Sequence, residues 1–139
     1  ITEKIKELNN GKSENNPDEK GHNGHHIFTK SAHPEYSTFH ENIILISGNE
    51  HQEVHNKSTK TVDAQLTCDF LISKLDSIKN DTSGFYDLDR FKDLLQNCLK
   101  QSLNDANIDI LFQKDESLRE SIINLKKYFK NRGIQVIPE

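Results

Sequence analysis

The sequence predicts an α+β chain: a small strand–strand–helix motif over residues 22–58, with a mostly α-helical companion over residues 59–139. Three observations carry that expectation. Asn42-Ile43-Ile44-Leu45-Ile46 is a short apolar, β-branched run suited to a buried strand. Ser47-Gly48-Asn49-Glu50 follows it directly and has the S-x-x-E form of a capping box. Beyond residue 59, apolar side chains return at helical spacing.

Residues 1–21 open with a helix-compatible piece carrying Ile1, Ile5 and Leu8. They pass into NNGKSENNPDEKG, which is polar, rich in turn residues and without apolar anchors, and so reads as a loop or linker. Gly24-His25-His26-Ile27-Phe28 can start a first strand, the apolar run 42–46 a second, and the capping box a helix through His51, Val54 and His55. In the second half, Val62, Leu66, Phe70, Leu71, Leu75 and Ile78 form one helical stripe, which DTSG at 81–84 interrupts. A second stripe runs through Leu88, Phe91, Leu94, Leu95, Cys98, Leu99 and Leu103. Asn107 to Phe112 is a strand candidate, and Asp115 can cap a third helix bearing Leu118, Ile122, Leu125 and Phe129, closed by Gly133 as the residue beyond its end. Ile134–Ile137 is a last strand candidate, stopped by Pro138.

Only 32% of the residues are hydrophobic and mean hydropathy is −0.80, so the expected core is modest and built from Ile, Leu and Phe. No apolar run approaches the ~18 residues of a membrane span, and no signal segment opens the chain, so a cytoplasmic protein without membrane contact is expected. The chain opens on Ile1 rather than methionine, which suits a fragment, a processed form or a piece of something longer. Cys68 and Cys98 are far apart, so a cysteine zinc knuckle is excluded and two free thiols on helix faces are expected. A net charge of −4 argues against gripping nucleic acid by bulk electrostatics.

The chemistry is concentrated in one place. All seven histidines (His22, His25, His26, His33, His40, His51 and His55) fall within residues 22–55. His51 and His55 are four apart on a capped helix, so both imidazoles leave one face and can hold one cation. A third histidine from the first strand would complete three protein ligands and leave open positions, as a catalytic site requires. Neighbours in a strand point to opposite sides, so one of His25 and His26 can hold metal while the other keeps a free nitrogen as a base.

The stretch GHHIFTKSAHPEYSTFHENIILISGNEHQEVHNKS resembles the HNH, or ββα-metal, nuclease motif. It is closest to the version with a double histidine, a mid-motif Asn and a closing HxxxH, as in colicin-type DNases and GHH-type HNH domains. The resemblance covers about a quarter of the chain. It implies a ββα-metal fold in which His25, His51 and His55 bind one divalent metal ion, of which Mg, Mn, Ni and Zn are the candidates. It implies further that His26 is the general base and that Asn42 braces the loop between the strands. The implied reaction is metal-dependent hydrolysis of DNA phosphodiester bonds, leaving a 5′-phosphate.

Alternatives stay open at this level. Asn42 also suits an ordinary turn amide, and His26 a packed histidine paired with a carbonyl. The whole motif also suits a degenerate HNH-fold binding module, with a structural metal and a helical protein-interaction surface, or a ribonuclease. The arginine that the colicin branch places before the double histidine is missing from DEKGHNG; Lys30 and Lys57 read first as solvated lysines, with a phosphate contact by either as the alternative. His22, His33 and His40 have no counterpart in the family. The chain continues to residue 139, far past His55, which favours a restriction or defence enzyme whose residues 59–139 serve recognition or assembly. The expected partners are DNA and a second copy or a partner subunit.

Overall fold

The computed structural model describes residues 1–55, 61–103 and 117–138, with the backbone alone at Ser102 and Leu103. In chain order, the described elements are α1 (Thr2–Leu8), β1 (Asn23–His26), β2 (Ile43–Ile46), α2 (Gly48–Val54), β3 (Thr61–Asp63), α3 (Ala64–Asn80), α4 (Leu88–Leu103), α5 (Leu118–Asn131) and β4 (Val136–Pro138). Two 3₁₀ turns, Pro34–Tyr36 and His40–Asn42, punctuate the loop between β1 and β2. The fold is α+β, with five described α-helices and two small antiparallel sheets. No described helix is long and apolar enough to cross a membrane.

β1 pairs with β2 so that His25 lies opposite Ile44 and His26 opposite Ile43. All four residues of β2 are buried, which explains why its sequence does not alternate. Ile44 and Ile46 face the main core, while Ile43 and Leu45 pack with Ile5 of α1 and with Phe85 in a smaller cluster. Directly opposed residues share a face of the ladder. His25 therefore sits on the side of the main core, and His26 on the other.

Residues 9–21 are irregular, as their composition implies, yet they are no loose spacer. The Glu14 N–H donates to the Leu45 carbonyl at 2.9 Å, and the Glu14 carboxylate accepts from the Leu45 N–H at 2.6 Å, closing the free edge of β2. The same carboxylate pairs at 2.8 Å with Lys74 of α3, and both side chains are fully buried. Lys74 also donates to the Tyr86 hydroxyl at 2.8 Å. Burial lowers the Lys74 pKa, and Glu14 opposes that shift. Polar anchors hold this segment where apolar ones are absent.

One hydrophobic cluster joins the strand–strand–helix motif to the helices, running from Ile27, Phe28 and Val54 through Phe70 and Leu94 to Phe129. The stripe expected over α3 holds from Leu66 onward, but Val62 belongs to β3, opposite Ile137. The helix starts later because the Asp63 carboxylate accepts from the Leu66 N–H at 2.8 Å and caps it there. α5 carries its expected stripe, but its N-cap is Ser117, whose hydroxyl accepts from the Glu120 N–H at 3.2 Å. Asp115, the expected cap, lies outside the described residues, as does the strand expected over 107–112.

Gly133 closes α5 as expected, at φ +67°. Its N–H bonds to the Lys130 carbonyl and the Ile134 N–H to the Phe129 carbonyl, the paired bonds of a Schellman ending. Pro138 does not stop the last strand but lies within it, opposite Thr61. Both strands of a two-stranded sheet are edges, a setting that tolerates proline. Among the described residues, Ile1 is the one exposed large apolar side chain, so the described helical stripes are spent on the core.

Candidate metal centre

α2 has only seven residues, too few to be stable on propensity alone, so its ends must be held. The capping box forms as the sequence predicts: the Glu50 N–H donates to the Ser47 hydroxyl at 3.1 Å, and the Ser47 N–H to the Glu50 carboxylate at 3.0 Å. That carboxylate is buried and takes two further bonds, from the Ser13 hydroxyl and from Asn15 Nδ2. Asn15 in turn accepts from Ser73 of α3 at 3.0 Å. The helix start is thus tied to both the N-terminal segment and the helical half. His51 follows directly, and His55 is the C-cap residue.

His25, His51 and His55 come together. One donor atom from each lies within 4.8 Å of the other two, an arrangement that could hold a metal ion. Their ring centroids are 5.4 Å apart for His25 and His55, 6.0 Å for His25 and His51, and 5.1 Å for His51 and His55. Nitrogens on a tetrahedral zinc lie roughly 3.3 Å from one another, given bonds of about 2.0–2.1 Å, so small side-chain rotations suffice to close the group. His51 is exposed, His55 half-buried and His25 buried, which leaves the group open on one side.

His25 fits a metal ligand on chemical grounds as well. Its Nε2 is buried and has no hydrogen-bond partner among the described residues. An unmet buried polar atom costs about 1–3 kcal/mol, which a bound cation would remove. The ring packs edge-on against Phe70 of α3, with centroids 5.6 Å apart. Burial, followed by the neighbouring charges of His55, His51 and His26, lowers the His25 pKa to about 3. The ring is therefore neutral at ordinary pH and keeps a lone pair to offer.

His26 lies outside this group. Its Nε2 is 2.9 Å from the Ser37 carbonyl, which can only accept, so Nε2 carries the proton. In the neutral ring the lone pair then belongs to Nδ1. The carbonyl pairing occupies one nitrogen and leaves the other.

Asn42 is fully buried at the base of the loop that carries Ser37. Its Oδ1 accepts from the Phe28 N–H at 2.9 Å, and its Nδ2 donates to the Phe28 carbonyl at 2.9 Å and the Tyr36 carbonyl at 3.2 Å. The side chain bridges the two ends of the loop.

The remaining histidines lie elsewhere. His22 is exposed. His33 is buried against Phe28 and bonds Gln101 at 3.1 Å, while His40 stacks on Phe85. Lys30 is exposed and Lys57 lies outside the described residues. Sequence reasoning missed Ser13, Asn15, Ser37 and Phe70. Only the S-x-x-E pattern around Glu50 hinted at that network, and it is silent about Ser13 and Asn15.

Compared with known protein families, curated proteins and solved structures, the chain has no match.

Proposed function

We propose that the chain is a metal-dependent endonuclease of the HNH, or ββα-metal, type, hydrolysing phosphodiester bonds in DNA. The observation that carries this reading is the pairing of adjacent residues with opposite tasks. His25 joins His51 and His55 in a group able to hold a metal, while His26 stays outside it with Nδ1 as its unprotonated nitrogen. A purely structural metal site has no use for the second.

His25, His51 and His55 would hold one divalent ion, and three imidazole donors suit Zn²⁺ or Ni²⁺ better than Mg²⁺. When bound, such an ion supplies two positive charges at the scissile phosphate and the departing 3′ oxygen, which also answers the chain's net charge of −4. His26 Nδ1 takes a proton from water as the water oxygen bonds to phosphorus. The bond from phosphorus to the 3′ oxygen breaks, that oxygen takes a proton from solvent, and the products are a 5′-phosphate and a 3′-hydroxyl. The Ser37 carbonyl holds the imidazolium that forms through its Nε2–H, and Asn42 keeps the Ser37 loop in place.

The test is cleavage of plasmid DNA and of RNA with Mg²⁺, Mn²⁺, Ni²⁺ or Zn²⁺, against an EDTA control and His26→Ala. DNA cleavage that needs metal and His26 is the expected result. RNA cleavage alone would reassign the substrate. Tight metal binding with no cleavage of either polymer would overturn the enzyme reading in favour of a binding module with a structural metal.

A further inference from the structure

The helical half reaches the loop between β1 and β2 through polar side chains that core packing does not require. Asn97 of α4 donates from Nδ2 to the Tyr36 hydroxyl at 2.8 Å. One turn further along α4, Gln101 accepts from His33 Nδ1 at 3.1 Å. Nearer the end of the loop, His40 Nδ1 donates to the Phe85 carbonyl at 3.1 Å, and the Asp87 N–H donates to the buried Glu41 carboxylate at 2.9 Å. Between these ties lies Ser37, the residue whose carbonyl faces His26 Nε2. Its neighbour Tyr36 is held at both ends, through its main-chain carbonyl by Asn42 and through its hydroxyl by Asn97.

We propose that Asn97 and Tyr36 are positioning residues for His26: α4 holds the loop where the Ser37 carbonyl keeps the imidazole proton on Nε2 and the lone pair on Nδ1. The inference rests on the reading of His26 as the base. A ring whose carbonyl partner drifts by about an ångström can carry its proton on either nitrogen, and a ring protonated at Nδ1 cannot accept a proton there. The role of α4 then extends beyond the core, and it acts on the reacting geometry without touching substrate.

The experiment compares Asn97→Ala, Tyr36→Phe, the double variant and Asn97→Asp in the full Zn²⁺-loaded chain. Asn97 is exposed, so its truncation leaves the core intact. Three quantities are read: the tautomer of the His26 ring by nitrogen NMR, the cleavage rate on plasmid DNA, and Zn²⁺ affinity by calorimetry. Each single variant is expected to convert the His26 ring from the Nε2–H form to a mixture and to slow cleavage about 3- to 10-fold, with Zn²⁺ affinity held within about twofold. The double variant should be no worse than either single, because both remove the same bond. Asn97→Asp, whose carboxylate can accept from the Tyr36 hydroxyl, should restore both readouts. An unchanged tautomer in Asn97→Ala, or additive losses in the double variant, would overturn the proposal. If the parent chain cleaves neither DNA nor RNA, the nuclease reading fails, and the tautomer alone judges the positioning role.

Discussion

Asn42 and Phe28 exchange two hydrogen bonds of 2.9 Å: the Asn42 side chain accepts from the Phe28 N–H and donates to the Phe28 carbonyl. A buried carboxamide thus stands in for a strand partner just past the end of β1, and the third bond to Tyr36 ties in the middle of the loop. Asn42→Ala leaves the Phe28 N–H and carbonyl unmet in the interior and the Tyr36 carbonyl with the Phe39 N–H alone, and should destabilise the protein by about 2–4 kcal/mol. Denaturant midpoints would show it; a change below about 0.5 kcal/mol would mean that water replaces the amide without cost.

His25 should behave in the opposite way. Leu is close to it in volume and has no nitrogen to leave unmet, so His25→Leu should leave the metal-free protein as stable or stabilise it by up to about 1–3 kcal/mol. Zn²⁺ affinity, read by calorimetry, should fall by about 100-fold or more. Loss of folding in metal-free His25→Leu would contradict the view that the ring is retained for a ligand.

The lowered pKa of His25 sets an acid limb on the stability of the metal-free protein. Below about pH 6.5 the unfolded chain binds a proton on this residue that the folded chain refuses until about pH 3. This contribution is therefore fully present above the unfolded pKa and is lost as pH falls through that window, at about 1.4 kcal/mol per pH unit for one proton. Urea midpoints between about pH 7 and 4 should decline accordingly, and His25→Leu should remove one proton's worth of slope. Saturating Zn²⁺ at neutral pH should raise the midpoint, reflecting about 2.7 kcal/mol of added stability at one hundred times its Kd, and EDTA should reverse it.

On the alkaline side, the two thiols act. Cys68 and Cys98 are free and buried; burial raises both pKa values, that of Cys98 to about 12. The unfolded thiols ionise near the ordinary value of 9.0 while the folded ones stay protonated, so stability that is present below that pH declines as pH rises through it. Both should be inert to a thiol reagent at neutral pH and react at the rate at which the chain opens. Fast labelling of either in native protein would contradict their burial.

Glu50 joins three partners: Ser13, Asn15 and the Ser47 N–H. Glu50→Ala should cost about 2–4 kcal/mol and, because His51 follows it directly, weaken Zn²⁺ binding about tenfold. Glu50→Gln keeps one acceptor and should lose less on both measures. Unchanged metal affinity in Glu50→Ala would show that α2 holds His51 without this carboxylate.

What could be read locally was settled within a turn or two of chain. The capping box at Ser47 and Glu50, the one-face spacing of His51 and His55, and the Gly133 ending depend on neighbours three to five residues apart, whose chemistry is visible side by side. β2 was legible for a related reason, since four consecutive apolar residues leave little choice but burial on both faces. Tertiary structure decided the rest. Nothing near Ser13 or Asn15 marks them as partners of Glu50, 37 and 35 residues away, and nothing near Lys74 marks it for burial beside Glu14. Val62 has the spacing of a helical residue, but Ile137 claims it for a strand. The acceptor that orients His26 is a main-chain carbonyl, a group that every residue carries, so only the path of the folded loop could choose Ser37.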